Sequence, residues 1–315
     1  MWSPRAFDTD VWTTPPEAGF MSWTDAFATR VAALAVDSLI QEASLTPKPG
    51  LVDGRGSGAH ADLDLDLMHR SARSLFPAFK EMARSVAGEA PSQSVRERLA
   101  MIGRDGERAM FEATCGVNTH KGAIWALGLL VAGAVMCPFA SDLRAIAGHA
   151  GRIARHPDRP MPTAATNGSR AGQRYGVSGA RGEAQNGFPH VVEIGLPALR
   201  EARSRGVAET FARLDALLAI MAELDDTCLL HRGGDLALDT AKQGAAAVLR
   251  LGGTTTALGM AALHRLDGEL LSLNASPGGA GDLLAATLFL DSLINPSTET
   301  SVEFAQHGEF QPWKY

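Results

Sequence analysis

Residues 116–137 read GVNTHKGAIWALGLLVAGAVMC. Four polar side chains, Asn118, Thr119, His120 and Lys121, stand at the mouth of a long apolar run. The run, residues 123–140, reaches the threshold of about 18 residues at which a segment can span a bilayer. Its composition argues for a buried helix instead. It is rich in Ala and Gly, Gly122, Gly128 and Gly133 suit close approach of neighbouring helices, and no Lys/Arg cluster flanks it. A helix over 119–137 with no polar face must be surrounded by other elements. That requirement sets the fold class.

The surroundings are helical by periodicity. Thr24 and Asp25 can cap a helix that carries Phe27, Val31, Leu34 and Ala35 on one face and runs to about residue 43. Met68, Ala72, Leu75, Phe79, Met82 and Val86 fall on a single helix face. Val95, Leu99, Ile102, Ala109, Met110 and Ala113 mark another helix, and residues 142–155 a further amphipathic one. Helical patterns return over 191–203, 208–230, 235–251, 254–271 and 280–294. Alternating β-branched runs are nearly absent. The expectation is an all-α protein, one globular domain of about ten or more helices. Residues 156–187, rich in Gly, Pro and Ser, read as a long central loop or lid. Residues 1–22 read as a loosely ordered lead-in, 23–294 as the catalytic domain and 295–315 as a polar tail.

Composition narrows the function. The chain has 315 residues, 45% hydrophobic and 20% charged, with a net charge of −6. An acidic chain lacks the basic face that phosphate-backbone binding needs, so nucleic acid is not its partner, and no membrane role is indicated. Cys115, Cys137 and Cys228 are widely spaced with no metal-binding pattern; they read as buried free thiols in a reducing compartment. The N-terminus has no apolar signal segment, which points to the cytoplasm.

The polar sequences gather at helix entrances in five blocks. The first is SLTPKPGLVDGRGSGAH, residues 44–60, with Lys48, Asp53, Arg55 and His60, followed by Asp62, Asp64 and Asp66. The second is GVNTHKGA. The third is ARGEA, residues 180–184, with Arg181 and Glu183. The fourth is HRGGD, residues 231–235, with Arg232 and Asp235. The fifth is SPGGAGD, residues 276–282, with Ser276, Gly278, Gly279 and Asp282. Helix entrances offer free N–H groups and a positive dipole end, so with glycine and a cation they suit anions. Carboxylates alongside suit a magnesium-bound polyphosphate. Each part also has a plainer reading: Asp235 and Asp282 as first-turn carboxylates, Asp62, Asp64 and Asp66 as a solvated face, His60 and His120 as core histidines. Lys48 sits between two prolines, which aim its ammonium. Known phosphate loops do not fit. GVNTHKG lacks the second Walker glycine, GSGAHA has no βαβ context, and no GxSxG, HExxH or kinase pattern occurs.

Taken in order, these blocks resemble the triphosphoribosyl-dephospho-coenzyme A synthase family over about residues 33–293. Residues 56–60 (GSGAH), Leu67-Met68-His69, Ser71 and Trp125 are similar to the malonate decarboxylase branch; the citrate lyase branch is the alternative. Gly54 and Lys121 stand where that branch has arginine. The resemblance implies an all-α enzyme and a transferase reaction. ATP and 3'-dephospho-coenzyme A give 2'-(5''-triphosphoribosyl)-3'-dephospho-coenzyme A and adenine, and the product goes towards an acyl-carrier subunit. Mg2+ is the expected cofactor, from the carboxylates that stand beside the basic groups at the helix entrances. For the phosphates and nucleotide the candidates are Lys48, Arg55, Asn118, Thr119, Lys121, Arg181, Arg232, Ser276, Gly278 and Gly279. Asp53, Glu183 and Asp282 form the pool for general base and metal, with Asp235 a further metal candidate, and His120 is a candidate proton donor to adenine. A homodimer is compatible with the sequence. The rival classes are a helical hydrolase of an N-glycosidic bond, which would release adenine without an acceptor, and a non-catalytic binding protein, which would show no turnover.

Overall fold

The computed structural model describes residues 17–138, 142–159 and 166–295, with side chains from residue 24 onward. Most of the lead-in and nearly all of the tail therefore lie outside the described residues. Among those described there are thirteen α-helices, one π-helical segment and no strand.

The apolar run forms α5 (Lys121–Met136), buried at every position from Ala123 to Val135 except Trp125. It is enclosed by α1 (Glu17–Ser44), α3 (Phe76–Ser85), α4 (Gln93–Ala113), α6 (Leu143–Arg155) and α13 (Gly278–Ile294). Its glycines permit this enclosure. A Cβ on Gly133 would lie 2.4 Å from the carbonyl oxygen of Ile146, and one on Gly128 would lie 2.7 Å from Met82 Sδ. No helix among the described residues is long and apolar enough to cross a membrane.

Several boundaries differ from the sequence expectation, each for a local reason. α1 begins at Glu17, so Thr24 and Asp25 lie inside it rather than capping its start. The face from Met68 to Val86 is shared by α2 (Leu65–Ser74) and α3, because Pro77 can occupy only the first turn of a new helix. The apolar face stays continuous across the break: Ala72, Leu75, Phe79 and Val86 are fully buried. Asp64 caps α2 by accepting from Leu67 N–H at 2.7 Å, while Asp62 and Asp66 are exposed. Residues 208–230 divide into α10 (Glu209–Glu223) and α11 (Thr227–Arg250), with Asp226 as the cap of α11. The HRGGD block is a kink inside α11, where Gly234 takes φ 62°. α12 (Ala257–Ser272) follows, capped by Thr256.

The long central loop is a correction. It contains α7 (Asn167–Tyr175) and α8 (Gly179–Gln185), followed by the π-helical segment His190–Gly195 and α9 (Leu196–Ser204). Glu183 organises this region. Buried in α8, it accepts from His190 N–H at 2.9 Å and faces His190 Nδ1 at 2.7 Å. That hydrogen bond raises the His190 pKa above its ordinary 6.5 against the opposing effect of burial. The cysteines also differ from expectation: Cys115 and Cys228 are exposed, and Cys137 is half-buried with Sγ 3.0 Å from His149 Nδ1.

Two stability predictions follow from these contacts. Gly133→Ala should lose about 1–3 kcal/mol in denaturant unfolding, because backbone cannot yield to the new methyl. Gly148→Ala on α6, with no atom within 4 Å of the new Cβ, should gain about 0.5–1 kcal/mol. Equal stability of the two variants would contradict the close α5–α6 approach. The second concerns pH. A histidine with a raised folded pKa stabilises fully below its unfolded value, here 6.5, and the contribution disappears as pH rises through the folded value. Wild type should therefore lose stability relative to His190→Asn as pH rises through and above 6.5; parallel curves would contradict the pairing.

Candidate active site

The site lies where the end of α1, the loop 45–64, and the entrances of α5, α11 and α13 converge. The loop is a rigid frame. Lys48 is 1% exposed, and its Nζ donates to the Glu42 carboxylate and to the Glu42 carbonyl, both at 2.6 Å. Its N–H donates to Asp53 at 2.7 Å. Asp53 is buried and also accepts from Arg55 N–H at 2.7 Å and from the Arg55 guanidinium. Arg55 continues to Asp267 at 2.7 Å and to the Lys48 carbonyl at 2.9 Å. Gly50, at φ +68°, donates to Asp267 at 2.9 Å and passes so close to Ala275 that a Cβ would lie 2.8 Å from its carbonyl oxygen. Arg232 ties the frame to α11 by donating to the Ala59 carbonyl at 2.9 Å and to His60 Nδ1 at 3.0 Å. Burial and the nearby Arg232 cation push the His60 pKa down to about 4.

At the mouth of α5, His120 is the residue before the first turn and is 2% exposed. Its Nδ1 is 2.7 Å from Ser71 Oγ, which lies 2.5 Å from Thr119 Oγ1. Its Nε2 is buried without a partner. Burial, then the neighbouring Lys48 and His69, push the His120 pKa to about 3, so the imidazole is neutral at pH 7. Thr119 thus bonds Ser71 rather than capping the helix. Asn118 makes a long contact of 3.4 Å from Lys121 N–H, and Lys121 pairs with Glu107 on α4 at 2.7 Å.

At the mouth of α13, Asp282 reaches across to α5. A Cβ on Gly122 would lie 2.0 Å from Asp282 Oδ2, so the carboxylate occupies the space that any side chain there would need. Asp282 is half-buried and makes no hydrogen bond or ion pair with a described residue. Burial, then the Glu42 and Asp226 carboxylates, raise its pKa well above the usual range. Glu42 stands against Gly281, with Oε1 3.1 Å from a Cβ there. Asp226 binds the entrances of α11 and α13 together, accepting from Cys228 N–H at 2.7 Å and Ala280 N–H at 3.0 Å. A Cβ on Gly279 would lie 2.9 Å from its carboxylate, and one on Gly278 3.2 Å from Cys228 Sγ. Ser276 is 2% exposed, and its Oγ is buried without a partner.

The structure thus brings Lys48, Asp53, Arg55, His120, Ser276, Gly278, Gly279 and Asp282 into one region. Glu183 is engaged by His190, Asp235 is exposed beyond the α11 kink, and Arg181 is exposed on α8. The four carboxylates expected to hold a metal are not assembled, and among the described residues no three His, Cys, Asp or Glu side chains are placed to hold an ion by themselves. Three residues escaped the sequence reading: Glu42, Asp226 and Asp267. Glu42 lies at the end of a helix just before a glycine-rich block, and Asp226 occupies a cap position in DDTC, so only the second carried a local signal.

Comparison with known proteins shows the family. A family model described as CitG, ATP:dephospho-CoA triphosphoribosyl transferase, matches residues 28–301. A probable 2-(5''-triphosphoribosyl)-3'-dephosphocoenzyme-A synthase of Pseudomonas fluorescens Pf-5 is 56% identical over 272 residues, covering 86% of this chain and 93% of the relative. Proteins of the same description from Stutzerimonas stutzeri and Azotobacter vinelandii are 56% and 55% identical over 268 residues, covering 84% of this chain and 92% of each relative. No solved structure matches. The helix entrances, their order along the chain and these matches agree: the chain is a transferase and belongs to the CitG family of ATP:dephospho-CoA triphosphoribosyl transferases.

Proposed function

We propose that this chain transfers the triphosphoribosyl unit of ATP to the 2'-hydroxyl of 3'-dephospho-coenzyme A and releases adenine. One observation carries the reading. An unpartnered carboxylate, Asp282, faces the α5 entrance, and the adjoining entrances of α5 and α13 each hold a buried side-chain atom without a partner, His120 Nε2 and Ser276 Oγ. Buried polar atoms left open in a packed protein are costly and call for a ligand that completes them.

The reaction breaks the bond from the ribose anomeric carbon to adenine and forms one to the acceptor oxygen. Its transition state has oxocarbenium character, as in glycoside transfer. The acceptor hydroxyl must lose a proton and adenine must gain one. Asp282 is the proposed base: enclosure and its carboxylate neighbours strengthen it as a proton acceptor. His120, neutral and fixed by Ser71, is proposed to hydrogen-bond the departing adenine through Nε2, and adenine takes its proton from solvent. The N–H groups at the starts of α5 and α13 are proposed to receive the triphosphate. Magnesium is proposed to arrive with ATP, where it neutralises phosphate charge. Among the described carboxylates that this region gathers, Asp282 is the one without a hydrogen-bond partner and would be the residue to hold such an ion, which takes one or two carboxylates plus phosphates and waters.

Lys48 takes a different role from a phosphate contact. Its ammonium is enclosed with Glu42, so we assign it to positioning Glu42 and the loop frame. The malonate decarboxylase branch is proposed from residues 56–60, His69, Ser71 and Trp125. Ser71 orients His120 and His69 is bonded to Ser44 at 2.9 Å, so both of these residues stand beside the site. In that reading the product is made in the cytoplasm and passed towards an acyl-carrier subunit; service to a citrate lyase is the alternative, decided by complementation of strains lacking either route.

The test is adenine release from ATP with and without 3'-dephospho-coenzyme A, with mass spectrometry of the product. Acceptor-dependent adenine is expected; adenine without acceptor would replace the transferase with a hydrolase. Asp282→Asn should lower kcat by about 100-fold or more if it is the base, and near-wild-type turnover would remove it from that role. Lys48→Met should cost about 3–5 kcal/mol of stability by leaving Glu42 buried and unpaired, and adding Glu42→Gln should recover much of it. A Lys48→Met protein of normal stability with a raised KM for ATP would instead make Lys48 a phosphate contact.

A further inference from the structure

Beyond the mouths of α5 and α13, a second group of cations surrounds Trp125. Arg96 on α4 is 8% exposed, and its guanidinium lies over the Trp125 ring at 4.8 Å from the centroid. Its Nε is buried without a partner. The carboxylate nearest to it, Asp158, stands 3.8 Å away and is shared with Arg104 at 3.0 Å. Asp158 Oδ1 is itself buried and unpartnered. On the neighbouring α8, the Ala180 carbonyl accepts from Trp125 Nε1 at 3.1 Å. This bond anchors the backbone beside Arg181, whose side chain is exposed and forms no ion pair among the described residues.

Two guanidinium groups, Arg96 and Arg104, therefore share one carboxylate, and Arg181 adds a third positive charge nearby. Arg181 and Arg104 act on Arg96 as like charges. A buried guanidinium with an open donor and too little negative charge nearby is unfavourable by itself. Stacking on Trp125 holds its plane but supplies no acceptor. Guanidinium forks match the paired oxygens of carboxylate and phosphate groups, and a nucleotide substrate brings the phosphates. Position favours the same conclusion. Trp125 is four residues beyond Lys121 on α5, so it lies about one turn, roughly 6 Å, along the helix from the entrance. A phosphate chain extending from the entrance would pass along this face.

We propose that Arg96, Arg181 and the Trp125 ring that orients them form a polyphosphate subsite separate from the α5 and α13 entrances, one that holds phosphates of one of the two nucleotide substrates. This rests on the function proposed above for the identity of those substrates, while the chemistry of the subsite, a phosphoanhydride anion, does not. The triphosphate of ATP and the diphosphate of the acceptor share that chemistry, and experiment separates them.

The test uses the full chain and the exposed Arg181, whose replacement leaves the core intact. Calorimetric titration with inorganic triphosphate and with pyrophosphate is compared between wild type and Arg181→Glu, followed by KM for each substrate. Binding of polyphosphate should weaken by about tenfold or more in Arg181→Glu, with Arg181→Lys between the two because it keeps charge but loses the fork. KM should rise for one substrate with a far smaller change in kcat. A rise for ATP assigns the subsite to the triphosphate; a rise for 3'-dephospho-coenzyme A assigns it to the acceptor. Polyphosphate binding unchanged within about twofold, at low salt, would overturn the subsite. If wild type shows no adenine release, the proposed reaction fails, and the polyphosphate titration still decides this inference.

Discussion

The close approach of Asp282 to Gly122 is the constraint on which the site depends. A carboxylate fills the volume where a Cβ would stand, so α13 and α5 meet entrance to entrance only because position 122 has no side chain. That contact places two sets of free N–H groups in one region. The remaining glycines repeat the logic at one remove: Gly279 admits Asp226, and Gly281 admits Glu42. Three carboxylates are thereby collected around two helix entrances, and Lys48 compensates one of them from beneath. The rigidity of α5 follows from its enclosure by other helices and keeps the entrance in place before substrate arrives.

The basic residues gathered in the motifs serve this arrangement more than they serve a ligand. Lys48 is held by Glu42, Arg55 by Asp53 and Asp267, Lys121 by Glu107, and Arg232 by the loop that it fastens. Each has a fixed geometry, and removing any one leaves a partner open. Recognition of phosphates is accordingly proposed for backbone N–H groups, with the Arg96–Arg181 region serving one of the two substrates, rather than for a cluster of mobile lysines. Neutral His120 fits the same logic, since a second buried cation beside Lys48 would be repelled.

The parts legible in the sequence were those set by local pattern. The composition of residues 123–135 marked a helix buried on all sides, and the five polar blocks marked helix entrances. What escaped depends on long-range contact. Glu42 looks like any polar residue near a helix end until Lys48 folds back onto it. Glu183, in a motif that reads as catalytic, turns inward to fasten His190 and the π-helical segment. Residues 156–187 looked like loop because α7 and α8 are short and glycine-rich, and their helicity comes from packing on α11 and α6. The asymmetry is physical: periodicity reports which face is apolar, whereas the partner of a buried charge is chosen by the fold.

The measurement closest to the central claim is a crystal structure of the chain with ATP and no acceptor. The nucleotide is expected at the joined entrances of α5 and α13, with His120 Nε2 and Ser276 Oγ each within about 3.2 Å of a ligand atom. A nucleotide bound elsewhere, with both of those atoms still without partners, would contradict it.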